Sequence, residues 1–183
     1  MLVLSTVIGD LEEDSLFTRQ FASIEKVAKE SGVSHTIVCV SYCVENLTSM
    51  TRDDWTLYDP RNPEAVVALC KLDDTVDAFV SLLKKPRFIN QTLTLTGKPA
   101  KLIDQVPASS YGEFSWKRIS YKEMKEQYLG WGLGEWQVDG LIELFRAMDD
   151  GKVAEESDAL QMILGRVRDG PVGTGAQPRK GLI

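Results

Sequence analysis

The first forty residues hold two apolar runs with an amphipathic segment between them. Leu2–Ile8 is almost continuously apolar and ends at Gly9, which is typical of a strand buried on both faces. Ser15 is a suitable N-cap for a helix that stops at a Ser-Gly pair. The apolar face of this helix is formed by Phe17, Phe21, Ile24 and Ala28. His35–Tyr42 is β-branched and apolar, so the pattern predicts a βαβ unit with parallel strands.

The middle of the chain is less regular. Asp-Pro and Asn-Pro pairs interrupt the stretch from Asn46 to Pro63, which we expect to be a surface excursion around a short apolar segment, Trp55–Tyr58. A short extended run, Val66–Leu72, precedes a helix that Asp73 or Asp74 can cap. The apolar face of that helix is formed by Val76, Phe79, Val80 and Leu83.

One more strand is predicted before a helical end. Gln91–Gly97 alternates Thr and Leu, which indicates a strand with one wetter face. Lys101–Tyr111 is loop-like, and Phe114–Ile119 is a candidate for a further short strand. Ser120 and Glu123 then form a capping box at the start of a helix.

Two more helices complete the pattern. The first of these helices is predicted by an apolar stripe and ends at an Asp-Asp-Gly sequence. The members of the stripe are Val138, Leu141, Ile142, Phe145 and Met148. Ser157 or Glu156 opens a short last helix through Leu164. Glycines, prolines and charged residues dominate after Gly165 and predict a flexible tail.

This order of elements indicates an α/β protein with helices on both faces of a parallel sheet. We divide the 183 residues into an α/β core at 1–100, a small helical subdomain at 101–166 and a tail at 167–183.

Charge and hydropathy narrow the function classes. The net charge of −6 and the pI near 4.9 argue against binding to a nucleic-acid backbone. Apolar runs are far shorter than the roughly 20 residues that span a bilayer, and the acidic start does not resemble a secretory signal. Three cysteines, Cys39, Cys43 and Cys70, lie in apolar surroundings and suggest reduced thiols. We therefore expect a cytoplasmic protein, with the nucleus as an alternative location.

The sequence GWGLGEW, Gly130 to Trp136, raises the question of a phosphate-binding loop. A dinucleotide-binding glycine loop follows a strand and opens a helix, but this one follows a helix. Gly130 or Gly132 can end that helix in the left-handed conformation, and Gly134 lets the next helix begin at Glu135. We interpret the segment as a joint between helices. A second glycine cluster, Gly170–Gly175, lies in the predicted tail.

In this order, the segments resemble the later part of the NmrA-like family, atypical short-chain dehydrogenase/reductase proteins with a Rossmann domain. The segments that carry the resemblance are the strand with Ser5-Thr6, IEKVAKESGVSHTIV, YCVENL, LDDTVDAFVSLLKKP, LTLTG and the helical end up to Arg166. Full members carry a glycine-rich strand-turn-helix and further βα units ahead of this region. The resemblance therefore implies a truncated Rossmann-like parallel sheet flanked by helices, with a small C-terminal helical subdomain, and with Met1 inside the fourth strand.

The resemblance also implies where a cofactor pocket would be. The residues that border it in relatives correspond to Ser5, Thr6, Tyr42, Glu45 and Asn46, which can equally be helix and turn caps. Relatives commonly carry a lysine four residues before the glutamate that corresponds to Glu25, but Phe21 holds that position here. Because the diphosphate-binding turn lies ahead of the matched region, we expect no cofactor, or weakly bound NADP or NAD.

Other catalytic chemistry has little support in the sequence. His35, the sole histidine, opens a strand, and Cys43 is the best-placed cysteine nucleophile because it can face the cofactor pocket. The cysteines and this histidine do not make a zinc ligand set, and we assign no metal. Paired acids fall at element ends, where capping and solvation explain them.

Two function hypotheses follow. The preferred one is a non-catalytic regulatory or interaction protein, because the free edge of a shortened sheet invites association with a protein partner or a second copy. Trp131 and Trp136 in the helical end are candidate anchors for a partner, with a place in the core as the alternative. The alternative is an NAD(P)H-dependent oxidoreductase of the quinone reductase type whose cofactor site is completed by another chain or by upstream sequence.

Overall fold

The computed structural model describes residues 1–7, 15–48, 55–106 and 114–165. Its strands are β1 (Leu2–Thr6), β2 (Thr36–Val40), β3 (Thr56–Asp59), β4 (Val66–Val67), β5 (Gln91–Leu95), β6 (Ala100–Lys101) and β7 (Ser115–Arg118). Its helices are α1 (Leu16–Glu30), α2 (Glu45–Thr48), α3 (Leu72–Lys84), α4 (Tyr121–Gly130), α5 (Glu135–Asp149) and α6 (Ala159–Leu164), with a 3-10 turn at Ile103–Gln105. The predicted tail, 167–183, lies outside the described residues.

A parallel sheet in the order β1-β2-β5 forms the centre of the protein. Side chains alternate between its faces, so Ile37 packs with Ala28 of α1 while Val38 packs with Ala78 of α3. α6 packs on the same face as α3 and contacts β5. The predicted α/β architecture and its βαβ unit are confirmed.

Several local sequence signals form the contacts that they predict. Ser15 Oγ accepts a hydrogen bond from the Thr18 amide at 3.2 Å and caps α1. At the start of α4, Ser120 Oγ accepts from the Glu123 amide at 3.1 Å, and the Glu123 carboxylate accepts from the Ser120 amide at 2.7 Å. These bonds satisfy amides that have no partner inside the helix.

The glycine-rich segment is a joint between two helices. Gly130 is the last residue of α4, and Gly132 has a φ of +90°, a conformation that side chains disfavour. Gly134 is the N-cap of α5, which begins at Glu135. The prediction of a helix joint rather than a phosphate loop is confirmed, while the cluster at 170–175 lies outside the described residues.

The predicted surface excursion before Pro63 is wrong for residues 55–63, while residues 49–54 lie outside the described residues. Thr56–Asp59 forms β3, which pairs in parallel with β7 from far along the chain. Asp59 and Arg61 are 1% and 0% exposed. Pro and Asn shape the local backbone, but burial depends on partners that are remote in sequence.

Smaller corrections concern helix starts and a loop. Lys71, not an aspartate, is the N-cap of α3, and Asp73 and Asp74 lie in its first turn. Asp158 is the N-cap of α6, although the Ser157 hydroxyl accepts a hydrogen bond from the Ala159 amide. α2 was not predicted. Part of the predicted loop after residue 100 is the short strand β6, which pairs antiparallel with β4.

A second core joins the helical end to the sheet region. Its members come from α2, β3, β4, α4 and α5, and they include Leu47, Leu57, Met124 and Phe145. α5 also approaches α1 closely at Gly140, where a Cβ atom would lie 2.7 Å from the ring of Phe17. The division at residue 100 stays a prediction.

Candidate functional site

The residues that the family resemblance selects lie at the carboxyl ends of two adjacent parallel strands, β1 and β2. Ser5 and Thr6 end β1 and point to opposite faces of the sheet, because side chains alternate along a strand. Tyr42, Glu45 and Asn46 follow the end of β2. Thr6 is half-buried, and Ser5, Tyr42, Glu45 and Asn46 each make local contacts.

Ser5 belongs to a small polar cluster beneath α1. Its hydroxyl donates to Glu25 Oε1 at 2.6 Å, and the Cys39 thiol donates to the same oxygen at 3.8 Å. Lys29 Nζ donates to Oε2 at 3.0 Å. Partial burial opposes ionisation of the carboxyl, but the hydrogen bonds from Ser5 and Lys29 outweigh it and lower the pKa of Glu25. Ser5 is 3% exposed, so its hydrogen bond joins α1 to the sheet, and its cofactor-binding role stays a prediction.

Tyr42 packs against a buried ion pair. The guanidinium of Arg61 lies 5.2 Å from the Tyr42 ring centroid and 3.9 Å from that of Phe145. Arg61 Nε donates to Asp59 Oδ1 at 2.8 Å, and Nη2 donates to Oδ2 at 2.5 Å. Burial raises the pKa of Tyr42 to about 12, although the charge of Arg61 acts in the opposite direction. Sequence reasoning missed this group, because the Asp-Pro-Arg-Asn-Pro run reads locally as a turn.

Glu45 caps a helix. Its two carboxylate oxygens accept from the Leu72 amide, each at 3.0 Å, at the start of α3. A carboxylate is favoured there because the first turn of a helix exposes amides and carries partial positive charge. Asn46 is exposed, and its backbone amide donates to the backbone carbonyl of Cys43. The structure thus gives Glu45 a structural contact, and its cofactor-binding role stays a prediction.

Cys43 lacks the surroundings of an activated nucleophile. Burial and the nearby Glu45 carboxylate raise the pKa of its thiol to about 11. His35 and Cys43 lie at opposite ends of β2, roughly 25 Å apart at the rise of an extended chain. His35 therefore cannot act as the base for Cys43.

The raised pKa of Cys43 predicts that its thiol is alkylated slowly near neutral pH. We expect Cys43 to react with iodoacetamide at pH 8 roughly 20-fold more slowly than a free cysteine, because few molecules carry the thiolate. The rate should keep rising with pH towards about 11. Comparison with Cys43→Ser assigns the labelling to this residue, since Cys39 and Cys70 are buried. Reaction at the rate of free cysteine would contradict the raised pKa.

A groove of about 920 Å³ lies between the β5 edge and the segment before α6. Its walls carry both signs of charge, with Lys98 and Lys152 facing Glu155, Glu156 and Asp158. None of the five residues selected by the resemblance lines it. The groove does reach Val7 and Ser41, which are adjacent in sequence to Thr6 and Tyr42. The cofactor-binding role of the five residues stays a prediction. Within the described ranges no cluster of potential metal ligands occurs, and no helix is long and apolar enough to cross a membrane.

The outer edge of β1 is unpaired by any described residue. β1 pairs with β2 on its inner side, where the Thr36 amide donates to the Met1 carbonyl at 2.9 Å. In a parallel ladder, successive residues direct their backbone groups alternately towards and away from the neighbouring strand. Because the Met1 carbonyl points towards β2, so do the backbone groups of Ser5, and the amide of Leu4 points outward. Leu4 is 56% exposed although its neighbour in register, Val38, is fully buried. The layer of helices on this face therefore covers β2 and reaches Leu2 of β1, but it leaves Leu4 exposed.

Apolar helix flanks lie on both sides of this edge. Ile24 and Val27 of α1 are exposed, the latter at 69%, while Ala28 faces the sheet. A right-handed β1-α1-β2 crossover puts the flank with Ile24 and Val27 on the β1 side. On α3, Ser81 lies on the flank that contacts α6. The opposite flank, towards β1, carries four exposed apolar residues, Leu72, Val76, Val80 and Leu83.

We call this surface the open side. It comprises the outer edge of β1 with Leu4, the flank of α1 with Ile24 and Val27, and the four-residue flank of α3. An unpaired strand edge between apolar helix flanks is the kind of surface that a further strand and helices cover in an α/β sheet. By contrast, the two candidate anchors are on the helical end, where Trp131 stacks on Tyr128 and Trp136 contacts Phe17 edge to face. They are 56% and 49% exposed.

Comparisons with known proteins place the fold. No protein-family model and no curated protein matches the sequence. A nucleoside-diphosphate-sugar epimerase from Staphylococcus aureus has a TM-score of 0.74 at 13% identity, covering 94% of this chain and 62% of that one. An NADPH-dependent quinone oxidoreductase from Escherichia coli, complexed with NADPH, has a TM-score of 0.74 at 16% identity, covering 93% and 62%.

A third structure extends the same likeness. A triphenylmethane reductase from Citrobacter sp., complexed with NADP(H), has a TM-score of 0.69 at 15% identity and covers 92% of this chain and 61% of that one. This chain thus spans less than two thirds of the length of these structures. It has the Rossmann-like α/β fold that these reductases and this epimerase share.

Proposed function

We propose that this protein acts by associating with another polypeptide chain across the open side, in a regulatory rather than a catalytic role. The observation that carries the proposal is the exposure of Leu4 beside the buried Val38 in one parallel sheet. A partner that supplies a strand at β1 would satisfy outward amides and carbonyls while covering apolar side chains. The NmrA-like resemblance, which the fold comparison supports only at the level of fold, is compatible with this role.

Weak binding of NAD(P) by this chain alone is part of the proposal. The diphosphate of a dinucleotide is normally held by a glycine-rich turn from a strand into a helix. The four connections from a strand into an α-helix, among the described elements, contain one glycine, Gly9. At the position where relatives carry a lysine, the half-buried Phe21 offers no hydrogen-bond donor. These residues provide little that would hold phosphates or a ribose.

The second candidate function is that of an NAD(P)H-dependent oxidoreductase. The fold shared with an NADPH-dependent quinone oxidoreductase favours it. The cofactor site would then need residues from another chain or from sequence beyond this one. In this case too the open side is the contact surface, because it adjoins the carboxyl end of β1.

Titration of the purified chain with NADPH and NADH, followed by cofactor fluorescence, separates the two candidates. We expect no saturable binding up to about 1 mM, because the strand-to-helix connections of the described elements include no glycine-rich diphosphate turn. Saturable binding with a micromolar Kd would overturn the association proposal in favour of the reductase. The Escherichia coli quinone oxidoreductase that was crystallised with NADPH is a suitable positive control.

A further inference from the structure

We propose that the chain that pairs with the β1 edge of the open side and covers the flank of α1 is a second copy of this protein, related by a two-fold axis through the outer edge of β1. The proposal rests on the proposed function and names its partner. A strand edge is self-complementary when its copy runs antiparallel. With the axis at Leu4, the middle residue of β1, the outward amide of Leu4 donates to the Leu4 carbonyl of the second copy, and the reverse bond forms as well. Leu2 then pairs with Thr6 of that copy, which gives a continuous six-stranded sheet.

The position of α1 suits this arrangement. α1 crosses over between β1 and β2, so its axis lies about one strand spacing, roughly 4.8 Å, from the two-fold axis. The axes of the two α1 helices are therefore about 10 Å apart. Packed helices have interaxial distances of about 8–10 Å. The exposed Val27 and Ile24 of each copy would therefore meet the same residues of the other across the axis. This contact removes from water the most exposed apolar side chain of α1.

The charges of the two flanking helices are compatible with a self-contact. In a two-fold contact like charges near the axis face each other, so the contact must be uncharged there. The flank of α1 towards β1 meets this condition, and its members are Gln20, Ser23, Ile24, Val27 and Ser31. Its charged residues lie on other faces, including Lys26 and Glu30, which pair with each other.

On the other face, the α3 helices lie away from the axis. The two-fold axis makes them antiparallel, with the acidic first turn of each, Asp73 and Asp74, directed towards the side of Lys84 in the last turn of the other. At about four strand spacings, roughly 19 Å, these charges are screened from one another and do not decide the orientation. α3 packs on β2 and β5, farther from the axis, so the two α3 helices do not touch. Leu4 of both copies forms the floor of the trough between them.

Sedimentation velocity over a concentration series tests this dimer. We expect a monomer–dimer equilibrium in the wild type, and a dissociation constant at least about tenfold higher in Leu4→Lys and in Val27→Lys. Val66→Lys is the matched control, because Val66 is a 44% exposed valine on β4, away from the open side. It should leave the constant within about twofold. Unchanged denaturation midpoints would show that the variants fold.

Charge complementation tests the symmetry itself. Val27→Lys and Val27→Glu should each dimerise weakly, because the axis brings like charges together, and an equimolar mixture should dimerise at least about tenfold more tightly than either alone. Failure of the mixture to recover would overturn the α1 contact. A wild type that stays monomeric at its highest soluble concentration would overturn the dimer. If either of these results is obtained and NADPH does not bind, the dimer is rejected but association with a different chain remains the proposed function. Micromolar NADPH binding, by contrast, contradicts the proposed function itself.

Discussion

Asp59→Ala should lower the free energy of unfolding by about 3–5 kcal/mol, because it leaves the buried charge of Arg61 without its counter-ion. The Asp59 carboxylate accepts hydrogen bonds from the backbone amide, Nε and Nη2 of Arg61. Burial alone would lower the pKa of Arg61, but the hydrogen bonds and charge of Asp59 raise it, so the guanidinium stays charged. Urea denaturation measures the loss.

A matched surface pair provides the control. Lys101 Nζ lies 2.7 Å from Glu64 Oε2, but the two side chains are 50% and 59% exposed. Glu64→Ala should therefore change stability by no more than about 1 kcal/mol. Equal effects of Asp59→Ala and Glu64→Ala would contradict the assignment of a buried ion pair. The double variant Asp59→Leu, Arg61→Met should recover much of the loss, since removing both charges removes the cost of burying one alone.

Gly97→Ala should destabilise the protein by about 3 kcal/mol or more. Gly97 follows β5, and a Cβ atom there would lie 1.9 Å from the backbone oxygen of Leu69. Because the obstacle is backbone and not the end of a flexible side chain, relief requires the segment before α3 to move away from β5. That segment is anchored where the Cys70 thiol donates to the Leu95 carbonyl. Thermal and urea denaturation of the variant measure the effect.

Gly130→Ala is the control for this substitution. A Cβ atom at Gly130 would meet nothing within 4 Å, and the residue ends α4 without a positive φ. Alanine should be neutral there or stabilise by up to about 1 kcal/mol, since it restricts the unfolded chain and favours the helix. A Gly97→Ala protein as stable as Gly130→Ala would show that the two segments do not approach as closely as described.

Short-range features could be predicted from the sequence because neighbouring residues decide them. The N-cap at Ser15, the capping box at Ser120 and the helix joint around Gly132 each depend on a few residues in succession. The parallel sheet followed from apolar runs separated by a helical period. The same local reasoning failed at β3, where Pro and Asn suggest a turn but β7 supplies a pairing partner more than fifty residues away.

The candidate site could be predicted only in part. Sequence resemblance placed Ser5 and Glu45 near the ends of adjacent strands, but it could not show that Ser5 bonds to Glu25 or that Glu45 accepts from the Leu72 amide. These contacts depend on how helices pack on the sheet. The sequence analysis expected a free sheet edge. It did not expect the exposed apolar residues of α3, because they lie on a helix face that periodicity alone assigns to a core.

Amide hydrogen exchange at Leu4, followed by NMR, tests the role of the open side most directly. The Leu4 amide points away from β2, so only a chain added at the outer edge can hold it in a ladder. We expect this amide to be protected at concentrations where the protein associates and to exchange almost freely on dilution, while the inward amide of Ser5 stays protected in both. Free exchange at Leu4 in the associated protein would contradict this expectation.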